Sequence, residues 1–185
     1  MLLVGNGRLI TRDPAQPYWE DGAVVLDGEQ VREAGPLAEL RARYPGAEFV
    51  DARGGVIMPG LINAHTHIYS GLARGLSIDG FQPANFLDVL EGQWWAIDRR
   101  LTLDGTRASA WATVLDCIRD GVTTIFDHHA SFCEIPGSLF AIKDVCKELG
   151  MRANLCYEVS ERDGMEKCDQ AIQENADFAK WAKEQ

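Results

Sequence analysis

The sequence has none of the features that mark secreted, membrane-spanning or disulfide-linked proteins. Its start, MLLVGNGRLI, is apolar for four residues and is then interrupted by Gly5, Asn6 and Gly7, so no secretory signal is predicted. No apolar run approaches the roughly 20 residues that cross a bilayer. The five cysteines are odd in number and include no C-x-x-C pair, which argues against a disulfide framework or a zinc knuckle. We therefore expect a cytoplasmic protein with reduced thiols.

Basic residues are also scarce. The chain has 18 Lys and Arg against 28 Asp and Glu, for a formal net charge of −10. Nucleic acids and anionic membranes both need a basic face, so neither is expected as a partner. An apolar content of 46% and a charged content of 25% are typical of a globular protein. The composition leaves a neutral small molecule open as the substrate.

Histidine is rare but concentrated. The chain has four histidines, and two of them lie in the stretch VIMPGLINAHTHIYSGLARG, Val56 to Gly75. A strand alternates its side chains with a period of two, so His65 and His67 are predicted to point the same way. Two imidazoles on one face at a strand end can reach a single metal ion. The alternative is a pair of hydrogen-bonded structural histidines.

The pattern of predicted strands and helices changes near residue 55. Residues 1–55 predict a small β-domain with a hairpin at Asp27-Gly28, and residues 56–185 predict alternating strands and helices. In the second part, strands are expected at 60–67, 122–128 and 151–158, and helices near 83–99 and at 104–120, 138–149 and 165–183. Such an order predicts an α/β fold with a parallel sheet and outer helices. His65 and His67 end the first of these strands and His128 and His129 end the second, so all four are expected at one edge of the sheet.

Several segments together resemble a known family. They are VIMPGLINAHTHIYSGLARG, Phe86-Leu87, Trp94-Trp95 with Asp98, and GVTTIFDHHAS from Gly121 to Ser131. They resemble the amidohydrolase superfamily, in its cytosine deaminase, chlorohydrolase and aminohydrolase branch, and most closely the SsnA-type aminohydrolases. The resemblance implies that residues 56–185 form the first three βα units of a (β/α)₈ TIM barrel. It also implies that residues 1–55 form part of a small β-sandwich domain that C-terminal strands complete.

The resemblance also implies a chemistry. One divalent ion, Zn²⁺ or Fe²⁺, would be held partly by His65 and His67, and a metal-activated water would deaminate or dechlorinate an N-heterocyclic substrate. His128 is the candidate catalytic residue, since it shares strand parity with Thr124 and Phe126. The candidate substrate contacts are Tyr69, Arg74, Trp95 and His129. Packing is the alternative role for His129, a loop salt bridge for Arg74, and a core position for one tryptophan of the Trp94-Trp95 pair.

Family members carry further metal ligands and a general-acid glutamate on later strands, and no histidine follows His129 here. We therefore expect an incomplete N-terminal portion that has little activity alone and exposes apolar barrel surface, with a homo-oligomer formed by the full-length protein. Two other classes stay open. One is a binuclear cyclic-amide hydrolase of the dihydropyrimidinase type, and the other is a non-catalytic fragment or assembly module.

Overall fold

The computed structural model describes residues 1–185 and divides them into two compact units, Met1–Pro59 and Gly60–Gln185. The helices in both units are too short or too polar for any of them to span a bilayer. Each unit has a hydrophobic core of its own.

The first unit is one mixed five-stranded sheet with a single helix. Its elements are β1 (Leu2–Ile10), β2 (Tyr18–Asp27), β3 (Gln30–Pro36), α1 (Leu37–Arg43), β4 (Glu48–Asp51) and β5 (Val56–Ile57). β1 and β3 pair with β2 in antiparallel fashion, and β4 and β5 pair with β1 in parallel. Gly28 takes a φ of 59° in the hairpin turn, a conformation that glycine adopts without strain. The unit contains one sheet layer, so the expected sandwich stays a prediction.

The second unit is a three-stranded parallel sheet with helices. Its elements are β6 (Leu61–Thr66), a 3₁₀ helix (Ile68–Ala73), α2 (Phe86–Val89), a π-helical turn (Leu90–Trp94), α3 (Trp95–Asp98), α4 (Leu103–Arg119), β7 (Val122–His129), α5 (Ser138–Glu148), β8 (Arg152–Tyr157) and α6 (Met165–Lys183). The strand order is β6-β7-β8, and all pairings are parallel. The predicted alternation of strands and helices is therefore present.

Local signals in the sequence account for the ends of α4. Thr102 is its N-cap residue, and the Thr102 hydroxyl accepts a hydrogen bond from the Gly105 backbone amide at 3.2 Å. Gly121 follows the helix with a φ of 77°, which only glycine adopts readily. Val114 and Cys117 on the inner face of this helix are buried in the core. The predicted helix at 104–120 is displaced by one residue from the observed helix.

Two predicted elements need correction. The helix expected near 83–99 begins at Phe86 and is interrupted by the π-helical turn. Strand β6 ends at Thr66, so His67 lies outside it, at the N-cap of the 3₁₀ helix. The pairing of β6 with β7 is also irregular between Asn63 and Thr66, which breaks the strict period of two that the prediction assumed.

The two faces of the parallel sheet differ sharply in burial. In β7, Ile125, Asp127 and His129 alternate on a buried face, whereas Phe126 on the other face is 44% exposed. Ile62 pairs with Thr124 and is 62% exposed. The second face therefore presents apolar side chains to solvent, which fits the expectation of exposed apolar surface.

Candidate active site

The ends of β6 and β7 bring three of the four histidines together. The Nε2 atoms of His65 and His67 lie 3.1 Å apart. The ring centroid of His128 lies 5.6 Å from that of His67, and the two rings are nearly perpendicular. His65 is exposed, while His67 and His128 are partly buried. The predicted convergence of His65 and His67 is present although His67 is not on the strand.

His67 is held in one tautomer by the neighbouring strand. Its Nδ1 lies 2.9 Å from the backbone carbonyl oxygen of His128, and a carbonyl can only accept a hydrogen bond. We therefore assign the proton to Nδ1, which leaves a lone pair on Nε2. The Ser70 hydroxyl also donates to the carbonyl of His67 at 2.9 Å. The ring of His67 thus presents an unprotonated nitrogen towards His65.

This arrangement fits a divalent metal ion. Two nitrogens about 2.0–2.1 Å from one tetrahedral zinc ion lie about 3.3 Å apart, which is close to the 3.1 Å between His65 and His67. A metal-ligating histidine commonly donates its other ring N–H to a carbonyl or carboxylate, as His67 does. No three His, Cys, Asp or Glu side chains in this chain are placed so that together they could hold one metal ion. The two histidines would therefore supply part of a ligand set.

His128 lies on the open face of β7 beside this pair. Burial lowers the pKa of His128, the Glu158 carboxylate opposes this shift, and the neighbouring His67 and His65 add to it. The ring is therefore neutral at neutral pH and carries one donor and one acceptor nitrogen. A neutral imidazole in this position can donate a hydrogen bond to, or accept one from, a molecule bound near the other two histidines.

His129, by contrast, points into the core. It is completely buried, and its Nε2 lies 2.9 Å from the Ser131 hydroxyl. That hydroxyl donates to the carbonyl of Glu134, so Nε2 of His129 must be the donor to Ser131. Burial lowers the pKa of His129 to about 3. This placement matches the packing alternative and does not support a substrate contact for His129.

A cavity of about 470 Å³ opens between the end of β6, the 3₁₀ helix and α4. Its lining includes His65, His67, Arg74, Trp94, Thr113 and Asp116. Arg74 reaches it, but the guanidinium is paired with the carboxylate of Asp116, which raises the pKa of Arg74 and lowers that of Asp116. The loop salt bridge expected as the alternative role of Arg74 is therefore present.

Tyr69 lies behind the histidines. It is 8% exposed, and its ring centroid lies 5.9 Å from that of His67 and 6.3 Å from that of Trp94. Burial raises the pKa of its hydroxyl, so Tyr69 stays neutral. Trp94 rather than Trp95 is the tryptophan that faces the cavity. A sequence cannot show which of two adjacent helical residues faces inward, and the π-helical turn shifts the helical phase here.

Trp95 belongs to a separate charged cluster. The guanidinium of Arg162 lies 5.1 Å from the Trp95 ring centroid and 4.0 Å from that of Phe132. Arg162 also pairs with Asp98 at 2.6 Å, and Asp98 is 1% exposed. Burial raises the pKa of Asp98 and the Arg162 guanidinium opposes this shift. Trp95 therefore packs against Arg162, and the sequence offered no local signal for the pairing of Arg162 with Asp98, which are 64 positions apart.

Comparison with known proteins identifies the family. The Amidohydrolase family model matches residues 56–184, and a model described as an imidazolonepropionase-like composite domain of bacteria matches residues 22–47. The first match covers well over half of the chain. The chain belongs to the amidohydrolase family.

Relatives with assigned functions are deaminases. The chain is 32% identical over 155 residues to the 5-methylthioadenosine/S-adenosylhomocysteine deaminase of Syntrophobacter fumaroxidans, covering 82% of this chain and 32% of the relative. It is 28% identical over 179 residues to the 5'-deoxyadenosine deaminase of Methanosarcina barkeri, covering 97% of this chain and 38% of the relative. The chain thus spans about a third of the length of these relatives.

Solved structures show the same fold. Atrazine chlorohydrolase TrzN from Arthrobacter aurescens TC1, complexed with zinc, matches with a TM-score of 0.70 and 28% identity, over 85% of this chain and 35% of that one. Guanine deaminase of E. coli matches with a TM-score of 0.73 and 19% identity, over 94% of this chain and 43% of that one. At 19% identity the second likeness concerns the fold alone.

Proposed function

We propose that this chain is part of a metal-dependent hydrolase that removes an amino group from an N-heterocyclic substrate. The observation that carries the proposal is the 3.1 Å separation of the His65 and His67 Nε2 atoms, with Nδ1 of His67 bound to a backbone carbonyl. The deaminase relatives at 27–32% identity support an aminated purine derivative as the substrate class. A chlorinated triazine is a second outcome, since the neighbour at 28% identity is an atrazine chlorohydrolase.

We further propose that residues 60–185 supply the first three βα units of a (β/α)₈ barrel. Three parallel strands in sequence order, each followed by a helix or helical segment, support this architecture. The exposed side chains of Ile62 and Phe126 would then face the barrel interior. The first unit would be the β-sandwich portion completed by other strands, and the family match at residues 22–47 to a composite domain supports this assignment.

Each residue of the site has a defined role in this proposal. His65 and His67 would hold the metal ion, which would act as a Lewis acid able to activate water at neutral pH. His128 is the proposed catalytic residue, because its neutral ring can orient the substrate or donate a proton to developing negative charge. Tyr69 forms the wall behind His67. Roles for Arg74, Trp95 and His129 in substrate binding stay predictions, since each has another partner in the structure.

Metal content is the first test of the proposal. Elemental analysis of the purified chain, with its intact mass verified, should find zinc or iron in the wild type and little in the His65→Ala/His67→Ala variant. Because the chain supplies only two ligands, we expect weak binding that improves in the full-length protein. A full-length protein that binds metal equally well with and without the two histidines would contradict the assignment.

The reaction class is tested on the full-length protein. Release of ammonia from aminated purine nucleosides would support deamination, and release of chloride from chlorotriazines would support dechlorination. His128→Ala should lower kcat/KM by about 10²–10⁴-fold if the ring takes part in proton transfer. A His128→Ala enzyme with unchanged kcat/KM would remove His128 from the mechanism.

A further inference from the structure

Asp127 is a buried carboxyl for which the proposed reaction has no role. It is 3% exposed and lies on the buried face of β7, between Ile125 and His129. Its Oδ1 accepts a hydrogen bond from the backbone amide of Ile68 at 2.6 Å, and its Oδ2 has no partner. The hydrogen bond joins two residues that are 59 positions apart in the sequence. The carboxyl therefore links β7 to the start of the 3₁₀ helix and is not part of a local turn.

The donor of this hydrogen bond, the Ile68 amide, lies next to a residue of the histidine site. Ile68 directly follows His67, at the point where the chain leaves β6 and enters the 3₁₀ helix. His67 provides no side-chain cap for that helix. Asp127 instead accepts from the first amide of the helix, as a cap residue would if it came from the neighbouring strand.

His128, the residue after Asp127 in β7, binds the ring of His67 directly. The carbonyl oxygen of His128 accepts from Nδ1 of His67 at 2.9 Å. Asp127 and His128 therefore hold the chain at His67 at two points, one through the backbone of Ile68 and one through the His67 ring. If the backbone at Ile68 moved, the His67 ring would lose its alignment with the His128 carbonyl, because the hydrogen bond weakens steeply with angle.

Burial makes a carboxyl a costly side chain at this position. A buried carboxyl with one free oxygen costs more than an apolar side chain of similar size. What the carboxyl adds is an acceptor at the one point that fixes the path of the chain beside His67.

We propose that Asp127 is a positioning residue of the histidine site, which holds the Ile68 amide and so keeps Nε2 of His67 unprotonated and directed towards His65. The functional consequence rests on the metal site proposed above. The geometric part does not, because the tautomer of His67 can be measured without metal.

The test compares the metal-free wild-type chain with two variants, by the ring ¹⁵N chemical shifts of His67. In the wild type and in Asp127→Asn, which retains an acceptor oxygen, we expect Nδ1 protonated and Nε2 unprotonated. In Asp127→Leu, which removes the acceptor, we expect the signals to move towards the averaged values of two exchanging tautomers. Unchanged His67 signals in Asp127→Leu would overturn the proposal, and so would an Asp127→Asn spectrum equal to that of Asp127→Leu.

Glu174 supplies a matched control. It is another buried carboxylate that accepts backbone hydrogen bonds, from Gly137 at 2.7 Å and Leu139 at 2.9 Å. These bonds lie at the start of α5, and no histidine takes part in them. Glu174→Leu should lower the unfolding temperature but leave the His67 shifts unchanged. A change of the His67 shifts in Glu174→Leu equal to that in Asp127→Leu would show a general loss of structure and would overturn the specific role.

Ile68→Pro removes the donor of this hydrogen bond, whereas Asp127→Leu removes its acceptor. If Asp127→Leu does not fold, Ile68→Pro deletes the same hydrogen bond, and proline suits the first position of a helix. It should move the His67 shifts as Asp127→Leu would, and unchanged shifts would overturn the proposal.

Metal affinity then tests the consequence for the site. In zinc titrations of the full-length protein against a chelator, Asp127→Leu should raise the Kd by about 10–100-fold, and Asp127→Asn by much less. If His67 changes tautomer but zinc affinity does not change, the positioning role in the metal site is overturned. If the wild type binds no zinc, the proposed function fails, while the ¹⁵N data still decide whether Asp127 orients His67.

Discussion

The two histidine pairs of the second unit, His65 with His67 and His128 with His129, are arranged in opposite ways. His65 and His67 are separated by one residue, and their Nε2 atoms converge to 3.1 Å. His128 and His129 are adjacent on β7, and the strand directs them to opposite faces. His128 is partly exposed beside His67, whereas His129 is completely buried. The end of β6 therefore brings together a pair that can share a ligand, whereas the adjacent positions on β7 direct the second pair to opposite faces, where they cannot.

Burial also gives the two members of the second pair different chemistry. Desolvation lowers the pKa of both rings, but only that of His129 falls to about 3. His129 is a neutral donor to Ser131 that packs beside Tyr157, with ring centroids 5.4 Å apart. Since its Nδ1 has no partner, adding a proton there would create an unpaired charge in the core. His128 keeps access to the site that His129 lacks.

Replacing His128 and His129 separately by alanine should give the largest difference in the free energy of unfolding. His129→Ala should lower the free energy of unfolding by about 3 kcal/mol, because it leaves a core cavity and removes the donor to Ser131. His128→Ala should cost about 1 kcal/mol or less, since its side chain is partly exposed and the backbone carbonyl that binds His67 remains. Urea unfolding of the metal-free chain measures both values. Equal losses would contradict the division into a core histidine and a site histidine.

The pH dependence of the free energy of unfolding gives a second test of the burial of His129. The pKa of His129 is about 3 when folded and about 6.5 when unfolded, so the unfolded chain binds more protons between these values. Stability from this group therefore falls as the pH falls from 6.5, by about 2 kcal/mol at pH 5. His129→Gln, which cannot titrate, should gain roughly this amount relative to wild type between pH 6.5 and pH 5. A constant difference across this range would show that His129 titrates normally.

Asp127, two residues away on the same face, should give a slope of opposite sign. Burial raises the pKa of its carboxyl to about 7 from 3.8, although the Ile68 amide opposes the shift. The folded chain therefore binds more protons between these values, and stability from this group is lost as the pH rises through 7. Relative to wild type, Asp127→Asn should lose about 2 kcal/mol between pH 6.5 and pH 5. Parallel stability curves for Asp127→Asn and wild type would contradict this.

Much of the second unit follows from its sequence because the signals are local. Gly121 ends α4 and Gly150 follows α5, both at positive φ, and the period of two in β7 predicts which histidine is buried. The details of the site depend on contacts between distant segments. The Asp127 hydrogen bond to Ile68 and the pairing of Arg162 with Asp98 join residues about 60 positions apart, so no periodicity predicts them. The irregular pairing of β6 likewise depends on β7 rather than on its own residues.

The smallest expected effect separates the two members of the first pair. The ring of His67 is bonded to the His128 carbonyl as well as to His65, whereas the ring of His65 has His67 as its only hydrogen-bond partner. In metal-free protein, His65→Ala removes only the exposed bond to His67 and should cost about 0.5 kcal/mol or less. His67→Ala removes that bond and also the bond to the His128 carbonyl, so it should cost about 1 kcal/mol more. Urea unfolding in the presence of a chelator measures the difference. If His65→Ala proved the more destabilising, His65 rather than His67 would be the anchored ligand, and the orientation of the pair would have to be set from β6 instead of β7.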